Sequence, residues 1–94
     1  MTTFETVRIA AVQDTSVVLD AEATVDKAIG LVAEAADRGA KLVVFPECFV
    51  SLYPSGTWAA TATSWSGEYD ELWERMWASS VDVTGPLVGR LATA

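Results

Sequence analysis

The chain contains no histidine and a single cysteine, and these two absences remove several chemistries at once. With one thiol there is no internal disulfide. Without histidine neither a zinc-finger pattern nor a Cys/His dyad can be assembled, and no metal or cofactor is expected. Basic residues are also scarce, six against thirteen acidic ones, for a net charge of −7. An acidic surface disfavours nucleic acid and anionic membranes as partners. No stretch reaches about 18 uninterrupted apolar residues, and Met1 to Val7 lacks the basic segment and apolar core of a secretory signal. The expected compartment is the cytoplasm. At 94 residues the chain is at most one small domain, with little room for a large core.

What is present is organised around Lys41 to Val50, KLVVFPECFV. Leu42 to Phe45 are apolar without alternation, so the strand they form is expected to be covered on both faces, as in a parallel sheet flanked by helices. Pro46 cannot donate to a strand ladder and ends it. Glu47 then leaves at the carboxyl end of a central strand, where open α/β sheets bind ligands. Beside Phe45 and Phe49 its carboxylate is expected to be partly desolvated, which suits a general base.

Val7 to Val12, VRIAAV, predicts a first strand, ended by Gln13 and Asp14. Between the strands, Asp20 can cap a helix running from about Ala21 to Arg38. Val25, Ala28, Ile29, Val32, Ala35 and Ala36 recur at helical spacing as its buried face, and Asp26, Lys27, Glu34, Asp37 and Arg38 mark the solvent side. Glu34 and Arg38 stand i, i+4 in the favourable order, and Gly39 sits where a left-handed residue ends a helix. Strand, helix and strand make a βαβ unit with parallel strands. A long loop from Ser51 to Trp65 follows, and loops of this length tend to be functional. Ser66 is a candidate cap for a second helix whose apolar stripe is Tyr69, Leu72, Trp73, Met76 and Trp77, read as core or subunit contact. Glu71 and Arg75 have the spacing of an ion pair. Asp82 to Pro86 predicts a turn, with Pro86 at the first position of a third helix that includes Leu87, Val88 and Leu91. That helix carries no stop signal before Ala94, so the 94 residues are expected to be the front of a longer protein.

With these pieces in order, the sequence resembles the N-terminal portion of a nitrilase, in the carbon–nitrogen hydrolase superfamily. The resemblance rests on RIAAVQDT at Arg8 to Thr15, AEAADRGAKLVVFPE at Ala33 to Glu47, YPSG at Tyr53 to Gly56, and WASSVDVTGP at Trp77 to Pro86. The last two segments favour the nitrilase branch over amidases and carbamoylases. The resemblance implies an α/β fold: the N-terminal part of an αββα sandwich, here a βαβ unit followed by two helices, in a protein that forms homo-oligomers. Residues 1–94 would then be a fragment of a single hydrolase domain. It further implies a Glu, Lys, Cys catalytic set that turns a nitrile into a carboxylic acid and ammonia through a cysteine thioimidate. Glu47 matches the glutamate of that set, the general base. Nothing in the chain matches the motifs of the lysine or the nucleophilic cysteine, so this stretch alone is expected to be inactive.

Cys48 does not match the family nucleophile. On an extended backbone it would point away from Glu47, and it is expected to be a small packing residue behind the site. Tyr53 matches a tyrosine near the substrate pocket, against an equal expectation that it packs the loop onto the sheet. Trp58 could line the acyl end of the pocket, though a loop anchor is the simpler reading. Lys41 is expected to be a solvated charge and does not take the role of the catalytic lysine. The competing functions are an amidase or N-carbamoyl hydrolase using the same proton acceptor, and a truncated, non-catalytic interaction piece associating through an exposed aromatic helix.

Overall fold

The computed structural model describes residues 3–51 and 70–94. Two parallel strands and three helices follow one another as β1 (Ile9–Ala11), α1 (Ala21–Asp37), β2 (Leu42–Val44), α2 (Asp70–Ala78) and α3 (Pro86–Thr93). The predicted Ser66 cap and Tyr69 lie outside the described residues. No helix among the described residues is long and apolar enough to cross a membrane.

The βαβ unit forms as the apolar pattern predicts. Ile9 pairs with Leu42, Ala10 with Val43 and Ala11 with Val44, in parallel. Two further bonds lengthen the ladder beyond these short strands. Lys41 N–H donates to the Arg8 carbonyl at 2.8 Å, and Val12 N–H donates to the Val44 carbonyl at 2.8 Å.

Both ends of α1 are fixed by local chemistry. At its start the Asp20 carboxylate accepts the Ala23 N–H at 2.9 Å, filling one of the donors that a first turn leaves unpaired. At its end Gly39 has φ of 85°, a left-handed geometry open to glycine at little cost. Gly39 N–H reaches the Ala36 carbonyl at 2.9 Å and Ala40 N–H reaches the Ala35 carbonyl at 3.0 Å, a Schellman arrangement. Arg8 adds a third tie, donating from its guanidinium to the Arg38 carbonyl at 2.6 Å. That bond joins the end of the helix to the residue just before β1. On the surface Glu34 and Arg38 pair at 2.7 Å, as their spacing predicts.

The buried side of α1 is Thr24, Val25, Ala28 and Ala35, with Ile29 and Val32 half-buried. Ala36, expected on this face, is exposed. Thr24 is buried although its type suggests the polar side, and its hydroxyl explains this. It accepts the Val17 N–H at 3.0 Å and lies 2.8 Å from the Asp20 carbonyl, to which it can give its proton. A buried hydroxyl with its hydrogen bonds made costs little, and here it ties the loop before α1 to the helix. Helix α3 packs on α1, and Arg90 pairs with Asp26 across the contact. Pro86 occupies the first turn of α3 as predicted. The turn before it is closed by Gly85 N–H donating to the Asp82 carbonyl at 2.9 Å, and by Thr84 N–H donating to the Asp82 carboxylate at 2.9 Å.

Three expectations are corrected. The strands are covered on one face only: Ala10 and Val43 are half-buried, while Ile9, Leu42 and Val44 are 60%, 54% and 49% exposed. Ala10 shares a hollow with Leu31 and Ala35, which places α1 on the covered side. The other side meets no covering layer among the described residues. In α2, Met76 is buried and Leu72 half-buried, but Trp73 and Trp77 are 46% and 71% exposed and stack on each other with ring centroids 6.4 Å apart. Trp77 therefore does not belong to the core. Finally, Glu71 and Arg75 are both exposed and form none of the ion pairs among the described residues. Such a pair in open water gains only a few tenths of a kcal/mol, too little to fix two long side chains.

Replacing Asp20 with alanine removes the cap of the helix that joins the two strands, and the chain should lose about 1 kcal/mol of stability. Urea unfolding followed by circular dichroism measures it. An unchanged midpoint would show that Asp20 contributes nothing to the start of α1.

Candidate active site

The candidate site lies at the carboxyl ends of the two parallel strands. Val44 is the last residue of β2, Pro46 follows after one residue, and residues 47–51 form a turn. Glu47 is the first residue of that turn, immediately past the proline. The sequence prediction of its place along the chain therefore holds. Its surroundings do not match the prediction, because Glu47 is exposed. Phe49, two residues on, is buried and its ring meets that of Phe45 with centroids 5.2 Å apart. The aromatic pair anchors the turn while leaving the carboxylate outward. The predicted desolvation rested on Phe45 and Phe49, and those rings pack on each other and leave Glu47 exposed.

Cys48 also differs from expectation. Its backbone is left-handed, with φ of 52°, and its thiol is exposed. It is neither a packing residue nor part of an extended strand, so the alternation argument that aimed it away from Glu47 does not apply. The reversal arises because residues 47–51 turn at once after Pro46 instead of continuing β2. Tyr53 and Trp58 lie outside the described residues. Lys41 is exposed at the foot of β2, at the opposite end of the strand from Glu47, in keeping with a solvated charge.

Beside β2, the exit of β1 is held by a contact that the sequence reading did not single out. Lys27, on the first half of α1, donates to the Asp14 carboxylate at 2.8 Å and to the Thr15 carbonyl at 2.6 Å. The only signals in the sequence were opposite charges thirteen positions apart, a separation no helix rule covers. The hydrogen bond from Lys27, helped by the Thr15 N–H, holds the Asp14 carboxyl below the ordinary carboxylate range. The carboxyl of Asp82 is lowered in the same way by the hydroxyl and N–H of Thr84. Hollows open elsewhere among the described residues. One, of about 320 Å³, lies against β1 and α1 between Gln13, Asp14, Leu31 and Arg38. Another, of about 440 Å³, lies between the start of α1 and the turn before α3. Neither is lined by Glu47. No group of three or more potential metal ligands occurs among the described residues.

The strand exits, the FPE step and the helix between them match the carbon-nitrogen hydrolase family model over residues 8–94. The chain belongs to the carbon-nitrogen hydrolase family. A bifunctional nitrilase/nitrile hydratase of Nicotiana tabacum is 46% identical over 93% of this chain and 25% of its own length. Nitrilase 3 of Arabidopsis thaliana is 45% identical over 93% of the chain and 25% of its length. A nitrilase of Bacillus sp. (strain OxB-1) is 38% identical over all of this chain and 26% of its own length. The chain thus spans about a quarter of the length of the curated relatives it matches. No solved structure matches it.

Two outcomes follow from the site as it stands. Because Cys48 is exposed, iodoacetamide should alkylate the native chain at nearly the rate seen in urea; protection of more than about tenfold would place the thiol in the interior. The Asp14 carboxyl is lowered in the folded state, so its pair with Lys27 stabilises the fold above the unfolded carboxylate pKa and is lost as pH falls through the folded one. An Asp14→Asn variant should therefore be less stable than the parent near neutrality, and the difference should shrink steadily as pH falls through the range in which the folded carboxyl takes up its proton. A difference that persists at the acid end would assign the effect to something other than this ionisation.

Proposed function

We propose that this chain supplies the general base, Glu47, of a nitrile hydrolase, as the N-terminal part of an αββα sandwich. The observation that carries the reading is the match of residues 8–94 to the family, with Glu47 standing at the end of the parallel strand β2, directly after Pro46. The relatives named nitrilase agree with it.

The chemistry requires a nucleophile, a base and a group that meets the charge developing on nitrogen. The Glu47 carboxylate takes the proton of a thiol, and the sulfur attacks the nitrile carbon. One bond of the carbon–nitrogen triple bond becomes an N–H bond, giving a thioimidate. Water adds to that carbon and ammonia leaves, which produces a thioester. A second water displaces the thiol and releases the carboxylic acid, so two waters are consumed for each ammonia and acid formed. Glu47 serves each step by accepting or returning one proton. The thiol and the lysine of this scheme are not assigned to any residue of this chain. Cys48 adjoins the base but is not proposed as the nucleophile.

The tobacco relative, named as both nitrilase and nitrile hydratase, favours a second outcome of the same first step. If the carbon–sulfur bond breaks after water adds, before ammonia leaves, the product is the amide. Measuring acid, ammonia and amide from a panel of nitriles separates the two, and a strong preference for amides as substrates would point instead to an amidase.

In a full-length enzyme carrying this sequence, Glu47→Gln should lower nitrile turnover by about 10²–10⁴-fold, because an amide cannot accept the thiol proton. Unfolding of the variant at the parental temperature excludes a folding defect. Near-normal turnover would remove Glu47 from the mechanism.

A further inference from the structure

Residues 12–20 join β1 to α1 with neither strand nor helix of their own. Their path is set by side chains of α1. Thr24 accepts the Val17 N–H at 3.0 Å, and one turn further on Lys27 donates to the Asp14 carboxylate at 2.8 Å and to the Thr15 carbonyl at 2.6 Å. The Asp14 oxygen that receives Lys27 also accepts the Thr15 N–H at 2.7 Å. One ammonium thus holds a side chain and the backbone beside it in a single arrangement. Hydrogen bonds between ionised groups are the strong ones. The side chains of Lys27 and Asp14 are 32% and 39% exposed, against 76% and 56% for Arg38 and Glu34, so water screens this pair less than that one.

The segment held in this way lies next to the candidate site. Ala11 pairs with Val44, and the Val12 N–H on the Val44 carbonyl carries the register one residue further. Asp14 and Glu47 each stand three residues past that last pair, so they leave the same end of the sheet on neighbouring strands. The turn at Glu47 is anchored by the Phe45 and Phe49 rings. Gln13, Asp14 and Thr15 are exposed, and the contacts that fix them to α1 come from Lys27. We propose that Lys27 is a positioning residue: through Asp14 and Thr15 it holds the exit of β1 as the side of the site next to the base on β2. The role rests on the reading of Glu47 as that base. Lys27 touches no reacting atom, because its ammonium is taken up by Asp14 and Thr15. Its effect is preorganisation, since a segment fixed before the nitrile arrives needs no ordering when the reaction begins.

The test measures ammonia release by a full-length enzyme carrying this sequence, on whichever nitrile of a panel the parent hydrolyses fastest, at a temperature where each variant is folded. Lys27→Met should lower kcat by about tenfold or more, and Lys27→Arg, which keeps the charge and can serve both oxygens, should stay within about threefold of the parent. Asp14→Asn should lose turnover in the same direction, and the double variant should lose no more than Lys27→Met alone, because both changes break one contact. Thr24→Val is the structural control. It removes the tie at Val17, farther from the strand end, and should lower the unfolding midpoint while leaving kcat within about threefold of the parent. Turnover that falls with stability across all these variants, Thr24→Val included, would overturn the proposal, as would additive losses for Lys27 and Asp14. Should Lys27→Met fail to fold, Asp14→Asn and Lys27→Arg decide the matter by the same criteria. An inactive Glu47→Gln beside a fully active Lys27→Met would overturn the role of Lys27 alone. A fully active Glu47→Gln would overturn the catalytic reading and this role with it.

Discussion

Parallel pairing of β1 with β2 is the constraint from which the rest of the structure follows. Two parallel neighbours cannot be joined by a tight turn, so the chain needs a crossover long enough to return to the start of the sheet. Helix α1 is that crossover, and each of its ends is tied to the sheet or to the loop leading from it. Thr24 and Asp20 hold the entry. Gly39 and Arg8 hold the exit. Once the two strands are parallel, both carboxyl ends lie on one side, and that side receives Gln13 and Asp14 from one strand and Glu47 from the other.

The same constraint explains where apolar surface is spent. Helix α1 covers one face of the pair and receives α3 against Asp26, so Val25 and Ala28 are nearly inaccessible. Only five apolar side chains, Val25, Ala28, Ala35, Phe49 and Met76, are buried among the described residues. Three of the five are on α1 or in direct reach of its caps, so the helix rather than the sheet holds the core. A core this small is the expectation for a chain of this length. It also means that local ties such as the Asp20 cap and the Gly39 turn carry a larger share of the stability than they would in a full domain.

What was legible in the sequence was whatever is decided within a few residues. Asp20, Gly39, Pro86 and the Glu34–Arg38 pair act on their own turn of helix, and each is found where its residue type places it. Parallel strands joined by a helix could be read because the apolar period changes from a continuous run to a 3.6-residue repeat and back. Residues whose environment depends on distant parts were not legible. Thr24 is buried because Val17 lies across the helix from it, seven residues earlier. Trp77 has the spacing of a core residue, but no partner element among the described residues closes over that side of α2. Lys27 finds Asp14 because the loop after β1 folds over α1. At the candidate site the position of Glu47 was legible from Pro46, whereas its exposure and the left-handed turn at Cys48 were not.

Glu47 is exposed on the turn that leaves β2, and Ile9, Leu42 and Val44 are exposed on the face of the sheet that α1 does not cover. A carboxylate works best as a base toward a thiol when bulk water is kept from it, since solvent otherwise competes for the same lone pairs. Keeping water out at the end of a strand requires walls on both faces of the sheet, and this chain builds one wall with α1. The aliphatic residues on the other face are too large and too continuous for a solvated surface, and their strands run directly to the carboxylate. The open face of the sheet and the exposed turn at Glu47 are therefore neighbours, separated along the chain only by Phe45 and Pro46.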